Sequence, residues 1–422
     1  MRFPTLDAWL AWQESLHPAT IDLTLERVAE VWRNRGATPP APVVITVAGT
    51  NGKGSCVAFL ESILRCAGYR VGAYTSPHLL RYNERVRVDG IEASDAQLCA
   101  AFQRVDEARG EVTLTYFEFG TLAALDIFSQ AALDAVVLEV GLGGRLDAVN
   151  IVDPDVALVT SIGIDHTQWL GPDREHIGRE KAGVFRANRP AVCGDPDPPA
   201  SLVDVASQLN VPLYTLGREF TVEADPAAWT WRGPHGAVRA GLSYPQLRGA
   251  CQLQNAAGAV MVLALLKARL PISQSALRQG LAQASLPGRF QVLPIQPTTI
   301  LDVAHNPDAA ATLAASLRKH PCTGRTLAVF AMLADKDMVS VVRALDGVID
   351  EWHGAPLTVP RGASALEVAA ALDTAQPRGW VHIHSGVLDA FRDARARARP
   401  NDRIVVFGSF YTVSTLLAAG LE

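Results

Sequence analysis

The chain has 422 residues, of which 49% are hydrophobic and 19% charged, a composition typical of a globular protein with two or three domains. The formal net charge of −5 argues against a general nucleic-acid binder, and no stretch approaches the ~20 apolar residues of a membrane-spanning helix. The N-terminus lacks an apolar signal segment, so we expect a cytoplasmic protein. The six cysteines have no paired spacing and indicate neither disulfides nor a cysteine zinc site.

Residues Leu6–Gly36 are predicted to form one or two helices, and a proline-rich stretch then leads into the strongest pattern of the chain. A β-branched run from Val43 precedes the turn sequence GTNGKGS, and apolar residues at helical spacing follow it. At such a turn, backbone N–H groups and the helix dipole attract a polyphosphate. Lys53 can place a cation on the outer phosphates and Ser55 can hold Mg²⁺, although the intervening Gly54 departs from the usual spacing. The pattern predicts a nucleotide-phosphate site.

Three further predicted strands lead into polar side chains. Arg70–Tyr74 leads to Ser76, Ala135–Val140 contains Glu139 near its end, and Asp155–Thr160 leads to His166. Open parallel sheets bind ligands at this carboxyl edge. Because a buried unpaired carboxylate is costly, Glu139 is better explained as a metal ligand than as part of the core. His166 fits either a core histidine or a ligand, and the arginine cluster around Arg85 fits either a solvated surface or a site for an anionic substrate.

The remainder of the first domain is predicted to alternate helices and strands. The helices are predicted at Ser94–Arg109, Phe117–Ala131, Gly178–Arg186 and Ser273–Ala284, and the strands at Ala191–Gly194 and Val211–Leu216. The sequence LTYFEF before the second helix favours β structure, and residues 219–249 resemble a β excursion. Lys181, in the third helix, fits an exposed lysine when considered alone. An almost wholly apolar helix carries Gln252 and Asn255 near its start.

The Pro-Gly pair at Pro287 and Gly288 is the best candidate for a domain boundary, because a new alternation of strands and helices begins after it. Its predicted strands are Thr298–Val303, Thr326–Met332, Leu357–Val359, Val381–His384 and Arg403–Phe407. The first ends in the polar sequence DVAHNP, where Asn306 fits a helix cap but Asp302 and His305 are not explained by capping. The predicted fold class is α/β, with a P-loop-type, mainly parallel-sheet ATPase domain over residues 1–286 and a smaller Rossmann-like α/β domain over residues 287–422.

With these segments identified, the sequence resembles the dihydrofolate synthase/folylpolyglutamate synthases of the Mur ligase superfamily. The resemblance covers nearly the whole chain and rests on ordered motifs: IDLTLERV, AGTNGKGS, YTSPHLLRYNERV, LEVGLGGRLDAVN, SIGIDHTQWLG, REKAGVFR, LPGRF, DVAHNPDAA and FGSFYTV. It implies a monomeric ligase of folate biosynthesis and one-carbon metabolism that uses ATP and two Mg²⁺ ions. ATP would phosphorylate the carboxylate of dihydropteroate or of a reduced folate, and L-glutamate would displace the phosphate.

The resemblance also implies roles for individual residues. The residues that match ATP-binding positions are Thr50, Asn51, Gly52, Lys53, Gly54, Ser55, Asn255, Arg289 and Asp302. The residues that match metal-binding positions are Ser55, Ser76, Glu139 and His166. The matches to the pteroate or folate pocket are Asp22, Thr24, Thr115, Phe117, Asp147 and Ala148, although Asp22 and Thr24 fit ordinary helix capping equally well. Lys53, Arg85, Asp302 and His305 match catalytic positions, and Lys181 matches a carbamylated lysine. The second domain would contribute to glutamate binding.

Three other functions remain as alternatives. A monofunctional folylpolyglutamate synthase is the first alternative, because the prediction of dihydropteroate binding rests on IDLTLERV, which resembles the segment that bifunctional enzymes use for dihydropteroate. A Mur-type cell-wall ligase would need an additional N-terminal binding domain, and only about forty residues precede the first predicted strand. A non-catalytic nucleotide switch would need the phosphate loop, but it would not need Glu139, His166, Lys181 and the Asp302–His305 pair together.

Overall fold

The computed structural model describes residues 2–420, which fold into two compact units. The first unit contains the chain up to Gln246 together with Leu253–Ala284, and the second contains Leu247–Gln252 and the chain from Ser285 onward. No helix within residues 2–420 is long and apolar enough to cross a membrane.

The first unit is organised around a large, mainly parallel sheet. Its strands are β1 (Val43–Ala48), β2 (Val71–Tyr74), β3 (Val86–Val88), β4 (Ile91–Glu92), β5 (Ala135–Glu139), β6 (Val156–Val159), β7 (Ala191–Cys193) and β8 (Leu213–Thr215). In the order β4-β3-β2-β5-β1-β6-β7-β8, all neighbours pair in parallel except β3, which is antiparallel to both β2 and β4. Every residue of β1 and β5 is buried, as expected for central strands covered on both faces.

Helices cover this sheet, and a small antiparallel sheet follows it. The helices are α1 (Leu6–Ser15), α2 (Glu26–Asn34), α3 (Lys53–Cys66), α4 (Asp95–Arg109), α5 (Tyr116–Ser129), α6 (Thr167–Leu170), α7 (Arg174–Ala182), α8 (Ala200–Gln208), α9 (Gln252–Leu265) and α10 (Gln274–Gln283). The predicted β excursion forms the sheet β11-β10-β9, from β9 (Thr221–Ala224), β10 (Trp229–Arg232) and β11 (Val238–Leu242).

The second unit is a smaller α/β layer structure. Its strands are β12 (Gln291–Leu293), β13 (Thr298–Asp302), β14 (Thr326–Phe330), β15 (Glu351–Gly354), β16 (Trp380–Ile383) and β17 (Arg403–Phe407). They are ordered β12-β13-β17-β14-β15-β16, and β12 is antiparallel to β13 while the others are parallel. The helices are α11 (Pro307–Lys319), α12 (Met338–Ala344), α13 (Ala365–Ala375), α14 (Val387–Arg397) and α15 (Phe410–Ala418). The predicted α/β fold class is confirmed.

Three local predictions are wrong. The sequence expected as β structure before α5 is instead its first turn, because Thr115 and Glu118 form a reciprocal capping box. The helix around Lys181 begins earlier, at Arg174 after its cap Asp173, and ends at Ala182. The strand expected at Leu357–Val359 lies at Glu351–Gly354, where a glutamate and a histidine obscured the apolar pattern although all four residues are buried.

Candidate active site

The phosphate loop connects β1 to α3, as the sequence predicts. Gly49 and Gly52 have φ values of +145° and +90°, which side-chain-bearing residues rarely adopt. A Cβ at Gly49 would overlap Thr160 Oγ1, and one at Gly52 would lie 2.5 Å from Asn255 Oδ1. Asn255 on α9 therefore approaches the loop closely enough to require glycine.

The loop after β6 fixes the shape of the phosphate loop. Thr50 Oγ1 donates to Gly163 O at 3.1 Å and accepts from Gly163 N at 3.0 Å. Asn51 O accepts from both Thr160 Oγ1 at 2.7 Å and Ser161 Oγ at 3.1 Å. The Lys53 ammonium folds back over this turn and donates to Gly49 O at 3.0 Å and Thr50 O at 3.2 Å. The result is a preformed turn that carries a cation.

The four predicted metal ligands fall on neighbouring elements of the same edge. Ser55 is buried in the first turn of α3, and Glu139 is the buried last residue of β5. Ser76 follows β2 and donates its backbone N–H to Glu139 Oε2 at 3.3 Å. His166 follows β6 as the left-handed residue before α6, with φ +52°. Its Nε2 lies 3.9 Å from Oδ1 of Asp165, a carboxylate that is not among the predicted site residues.

Lys181 is not the exposed lysine that its local sequence permits. It is 3% exposed on α7, and burial lowers its pKa to about 7, with the positive charge of Lys53 acting in the same direction. The carboxylates of Asp165 and Asp147 partly oppose this shift. Asp147 is itself buried and accepts from Leu142 N at 2.8 Å and Val149 N at 3.0 Å, and burial raises its pKa to about 6. Lys53, Lys181 and the two carboxylates thus form one electrostatic cluster.

Arg85 is buried rather than part of a solvated surface. Its Nε donates to His78 Nδ1 at 2.9 Å, and its guanidinium lies 5.3 Å from the ring centre of Tyr82 and 5.6 Å from that of Tyr116. Burial, followed by the charge of Arg85, lowers the pKa of His78 to about 4, so this imidazole remains a neutral acceptor. His78 lies in the motif YTSPHLLRYNERV but is not among the site residues predicted from the sequence.

The predicted acceptor-pocket residues have distinct surroundings. Thr115 Oγ1 accepts from Glu118 N at 3.3 Å as the cap of α5, and Ala148 is buried in a 3₁₀ turn. The Phe117 ring is 6.0 Å from that of Tyr74 and would lie 2.5 Å from a Cβ at position 141, so Gly141 leaves room for it.

Asp22 and Thr24 do not cap α2, which begins after Leu25 without a side-chain cap, so the capping alternative is wrong. Asp22 Oδ2 accepts from Arg27 Nη1 at 2.7 Å, and Arg27 Nη2 donates to Glu118 Oε1 at 3.1 Å, which ties this segment to the start of α5. Thr24 Oγ1 is buried and has no hydrogen-bond partner among the described residues.

The predicted residues of the second unit gather at the end of β13. Asp302 accepts from Phe290 N at 2.9 Å and Ala304 N at 2.8 Å; burial raises its pKa, although Arg289 opposes this shift. The Arg289 guanidinium lies 5.3 Å from the ring centre of Phe410, and the His305 ring lies 6.2 Å from the same ring. Phe410 lies in the motif FGSFYTV but is not among the site residues predicted from the sequence.

Comparison with known proteins identifies the family. The Mur ligase middle domain matches residues 47–262, and the Mur ligase glutamate ligase domain matches residues 288–410. The dihydrofolate synthase/folylpolyglutamate synthase of Escherichia coli is 48% identical over 98% of this chain and 94% of its own length; that of Haemophilus influenzae is 41% identical over 98% and 97%.

Solved structures agree with the sequence relatives. E. coli FolC in complex with DHPP and ADP matches with a TM-score of 0.92 at 48% identity, over 99% of this chain and 97% of that one. A bifunctional folylpolyglutamate synthase/dihydrofolate synthase with Mn, AMPPNP and L-glutamate bound matches with a TM-score of 0.91 at 49% identity, over 99% and 98%. The chain belongs to the Mur ligase family, within its dihydrofolate synthase/folylpolyglutamate synthase branch, and is an ATP-dependent ligase.

Proposed function

We propose that the chain joins L-glutamate to two acceptors, dihydropteroate and reduced folates, through an acyl phosphate. An acceptor carboxylate oxygen attacks the γ-phosphorus of ATP and ADP leaves. The glutamate amine, having lost a proton, then attacks the acyl carbon, and phosphate leaves with the attacking oxygen. The single observation that carries this proposal is the gathering of the phosphate loop, Glu139, Asp147 and Lys181 at one edge of the first unit's sheet.

The phosphate loop supplies positive charge to the phosphoryl group. Residues 50–55 lead into the N-terminus of α3, where backbone N–H groups favour an anion. Lys53 holds its ammonium on the loop carbonyls, so a bound phosphate would receive a positioned cation rather than a freely moving one. Transfer between two anions depends mainly on such positioned charge.

The residues at this edge fit a divalent metal. Ser55 and Ser76 offer hydroxyls, Glu139 offers a buried carboxylate at the end of its strand, and His166 offers an imidazole. The oxygen donors suit Mg²⁺ and Mn²⁺, and Mn²⁺ is the ion reported with AMPPNP in the relative from Yersinia pestis. We propose two bound ions, which would neutralise negative charge on the phosphates. The backbone N–H of Ser76 donates to Glu139 Oε2 and so orients this carboxylate towards the proposed ions.

We further propose that Lys181 is carbamylated. Carbamate formation requires an uncharged amine, and burial together with Lys53 lowers the pKa of Lys181 to about 7. The modification turns a buried cation into an anion, and an anion is better matched to Lys53 and to neighbouring metal ions. Carbamylated Lys181 would thus orient the charged groups of the site.

The acceptor would lie against the aromatic residues of this edge. Arg85, fixed by His78 and two tyrosine rings, is suited to the acceptor carboxylate, and Phe117 offers a ring face to a pterin. Asp147 and Ala148 belong to the same edge. The buried hydroxyl of Thr24 and the neighbouring Asp22 would contact dihydropteroate, the acceptor that distinguishes a bifunctional enzyme.

For the second domain, residues 287–422, we propose roles in nucleotide and glutamate binding. Arg289 and Asp302 would contact the nucleotide, and His305 would approach the incoming glutamate. The support is that Arg289 and His305 both lie against the Phe410 ring, and that Asp302 is the last residue of β13 in the same unit. We also propose that the protein acts as a cytoplasmic monomer.

An isotope experiment tests the acyl phosphate. Dihydropteroate labelled with ¹⁸O in its carboxylate is turned over with ATP and L-glutamate, and the inorganic phosphate is analysed by mass spectrometry. The proposal predicts one labelled oxygen in each phosphate, because the attacking oxygen leaves with phosphorus. Unlabelled phosphate accompanied by amide product would contradict the mechanism.

A further inference from the structure

A second cluster of ionisable side chains lies in the second unit and is used by none of the steps above. β15 and β16 are parallel neighbours in which His353 pairs with His382, and Glu351 and His384 lie two residues away from them. Since side chains alternate along a strand, these four residues share one face of the sheet. Asp393 on α14 approaches the same face. Three histidines and two carboxylates on one face are not explained as apolar core.

Three donor atoms of this cluster form a compact triangle. His353 Nδ1 is 3.1 Å from His384 Nε2, and Asp393 Oδ2 is 3.5 Å from the first and 3.8 Å from the second. Ligands about 2.0–2.1 Å from a tetrahedral Zn²⁺ are separated by roughly 3.3 Å. The two distances to the carboxylate, 3.5 and 3.8 Å, are too long for good hydrogen bonds and lie within about 0.5 Å of a tetrahedral edge.

The surroundings of His353 supply a second, independent observation. Its side chain is fully buried, and its Nε2 forms no hydrogen bond with any described residue, although it lies 3.4 Å from Glu351 Oε1. A metal bound at Nδ1 would fix the proton on Nε2, facing this carboxylate, as in the usual pairing of metal-bound histidine with a carboxylate.

From this geometry we propose that His353 Nδ1, His384 Nε2 and Asp393 Oδ2 bind one Zn²⁺, separate from the metal positions of the ATP site. Two imidazoles and one carboxylate favour Zn²⁺ over Mg²⁺, which prefers oxygen ligands. His384 and Asp393 are partly exposed, at 14% and 34% of their side chains, so a water molecule can take the fourth position.

The positive charges of two neighbouring arginines oppose zinc binding only in part. Arg397 Nε donates to Asp393 Oδ2 at 2.8 Å, and Arg325 Nη1 donates to Glu351 Oε2 at 2.8 Å, so each arginine is offset by a carboxylate. His382 Nε2 is directed at Glu351 Oε1, 3.2 Å away, rather than at the triangle. Zinc here would tie the edge strand β16 to β15 and α14, and we expect it to stabilise the second unit.

Cobalt titration of the chelator-treated full-length protein, with excess Mg²⁺ present, tests this site. We expect one equivalent of Co²⁺ to give the intense visible absorption of four-coordinate, nitrogen-ligated cobalt, and Zn²⁺ to displace it. Asp393→Asn and His384→Gln should each weaken this binding at least about a hundredfold, since loss of a mere supporting partner costs about 10–100-fold. The matched controls, Asp389→Asn on the same helix and the exposed His176→Gln, should retain it.

A thermal shift gives a readout that does not depend on spectra or activity. Zinc should raise the melting temperature of the wild type and of both controls, but not that of Asp393→Asn. Absence of the four-coordinate spectrum in the wild type, or its persistence in Asp393→Asn and His384→Gln, would overturn the proposal. The cluster would then be held together by hydrogen bonds without a metal, with His384 Nε2–H donating to His353 Nδ1.

Discussion

The proposed carbamylation of Lys181 would make the ligation activity depend on dissolved CO₂. With a pKa of about 7, Lys181 is about half uncharged at pH 7, whereas a lysine of ordinary pKa is uncharged in roughly one molecule in 3,000. The reactive fraction is therefore raised by about three orders of magnitude. Because the pKa is lowered, the free amine increases as pH rises through 7, so carbamylation at fixed dissolved CO₂ should be faster at pH 8 than at pH 6.

The assay follows ATP-dependent glutamate ligation after the enzyme has been held at pH 6 under CO₂-free gas. We expect the treated enzyme to lose most of its activity and to regain it when bicarbonate is added. Lys181→Ala should be about 10²–10³-fold slower than the wild type, the usual cost of removing one electrostatic group from a preorganised site. A short carboxylic acid should restore part of its activity, and the exposed-lysine control Lys267→Ala should behave as the wild type.

Carbon-13 NMR with labelled bicarbonate provides the decisive control. A protein-bound carbamate signal should be present in the wild type and in Lys267→Ala but missing in Lys181→Ala. If CO₂-depleted wild-type enzyme were fully active and gave no carbamate signal, the proposal that the buried Lys181 amine must be carbamylated would be refuted.

Three further predictions address the phosphate loop and the acceptor pocket. Lys53→Ala should slow ligation about 10²–10³-fold at saturating ATP, and more than a tenth of wild-type turnover would contradict its role. Gly49→Ala should abolish ATP binding because the new Cβ overlaps Thr160, while Gly68→Ala, at φ +90° with open space, should cost only about 1–2 kcal/mol of stability and keep activity; equal effects would refute the steric argument. Alanine replacement of Ile21–Thr24 should damage dihydrofolate synthesis far more than glutamate addition to tetrahydrofolate, and equal losses would make the segment merely structural.

The sequence predicts the parts of the fold that rest on local patterns. The β-branched run of β1 and the glycines after it identify the phosphate loop without reference to the rest of the chain, and Glu139 is conspicuous because it ends an apolar strand. Asn306 caps α11, as its residue type indicates, and α10 begins directly after Ser273, the first residue predicted for that helix. In each case the physical requirement lies within a few residues of the signal.

Other features depend on residues distant in the chain. Nothing local distinguishes Lys181 from an exposed lysine, since its burial results from packing of α7 and its charge partners lie on other elements. His78 gains significance only through its contact with Arg85. The strand Glu351–Gly354 is not predicted from the sequence because its glutamate and histidine are unlike the residues of a buried strand. Their ionic partners lie on β16 and α14, and no local pattern reveals them.

Phosphate release with each acceptor, measured with and without L-glutamate, tests the central claim most directly. We expect the purified protein to release phosphate from ATP with dihydropteroate and with tetrahydrofolate, in each case only when L-glutamate is present and in equal amount to the amide formed. Phosphate release that does not depend on L-glutamate, or the absence of turnover with both acceptors, would contradict the assignment as a glutamate ligase. Turnover of tetrahydrofolate alone would contradict the bifunctional assignment.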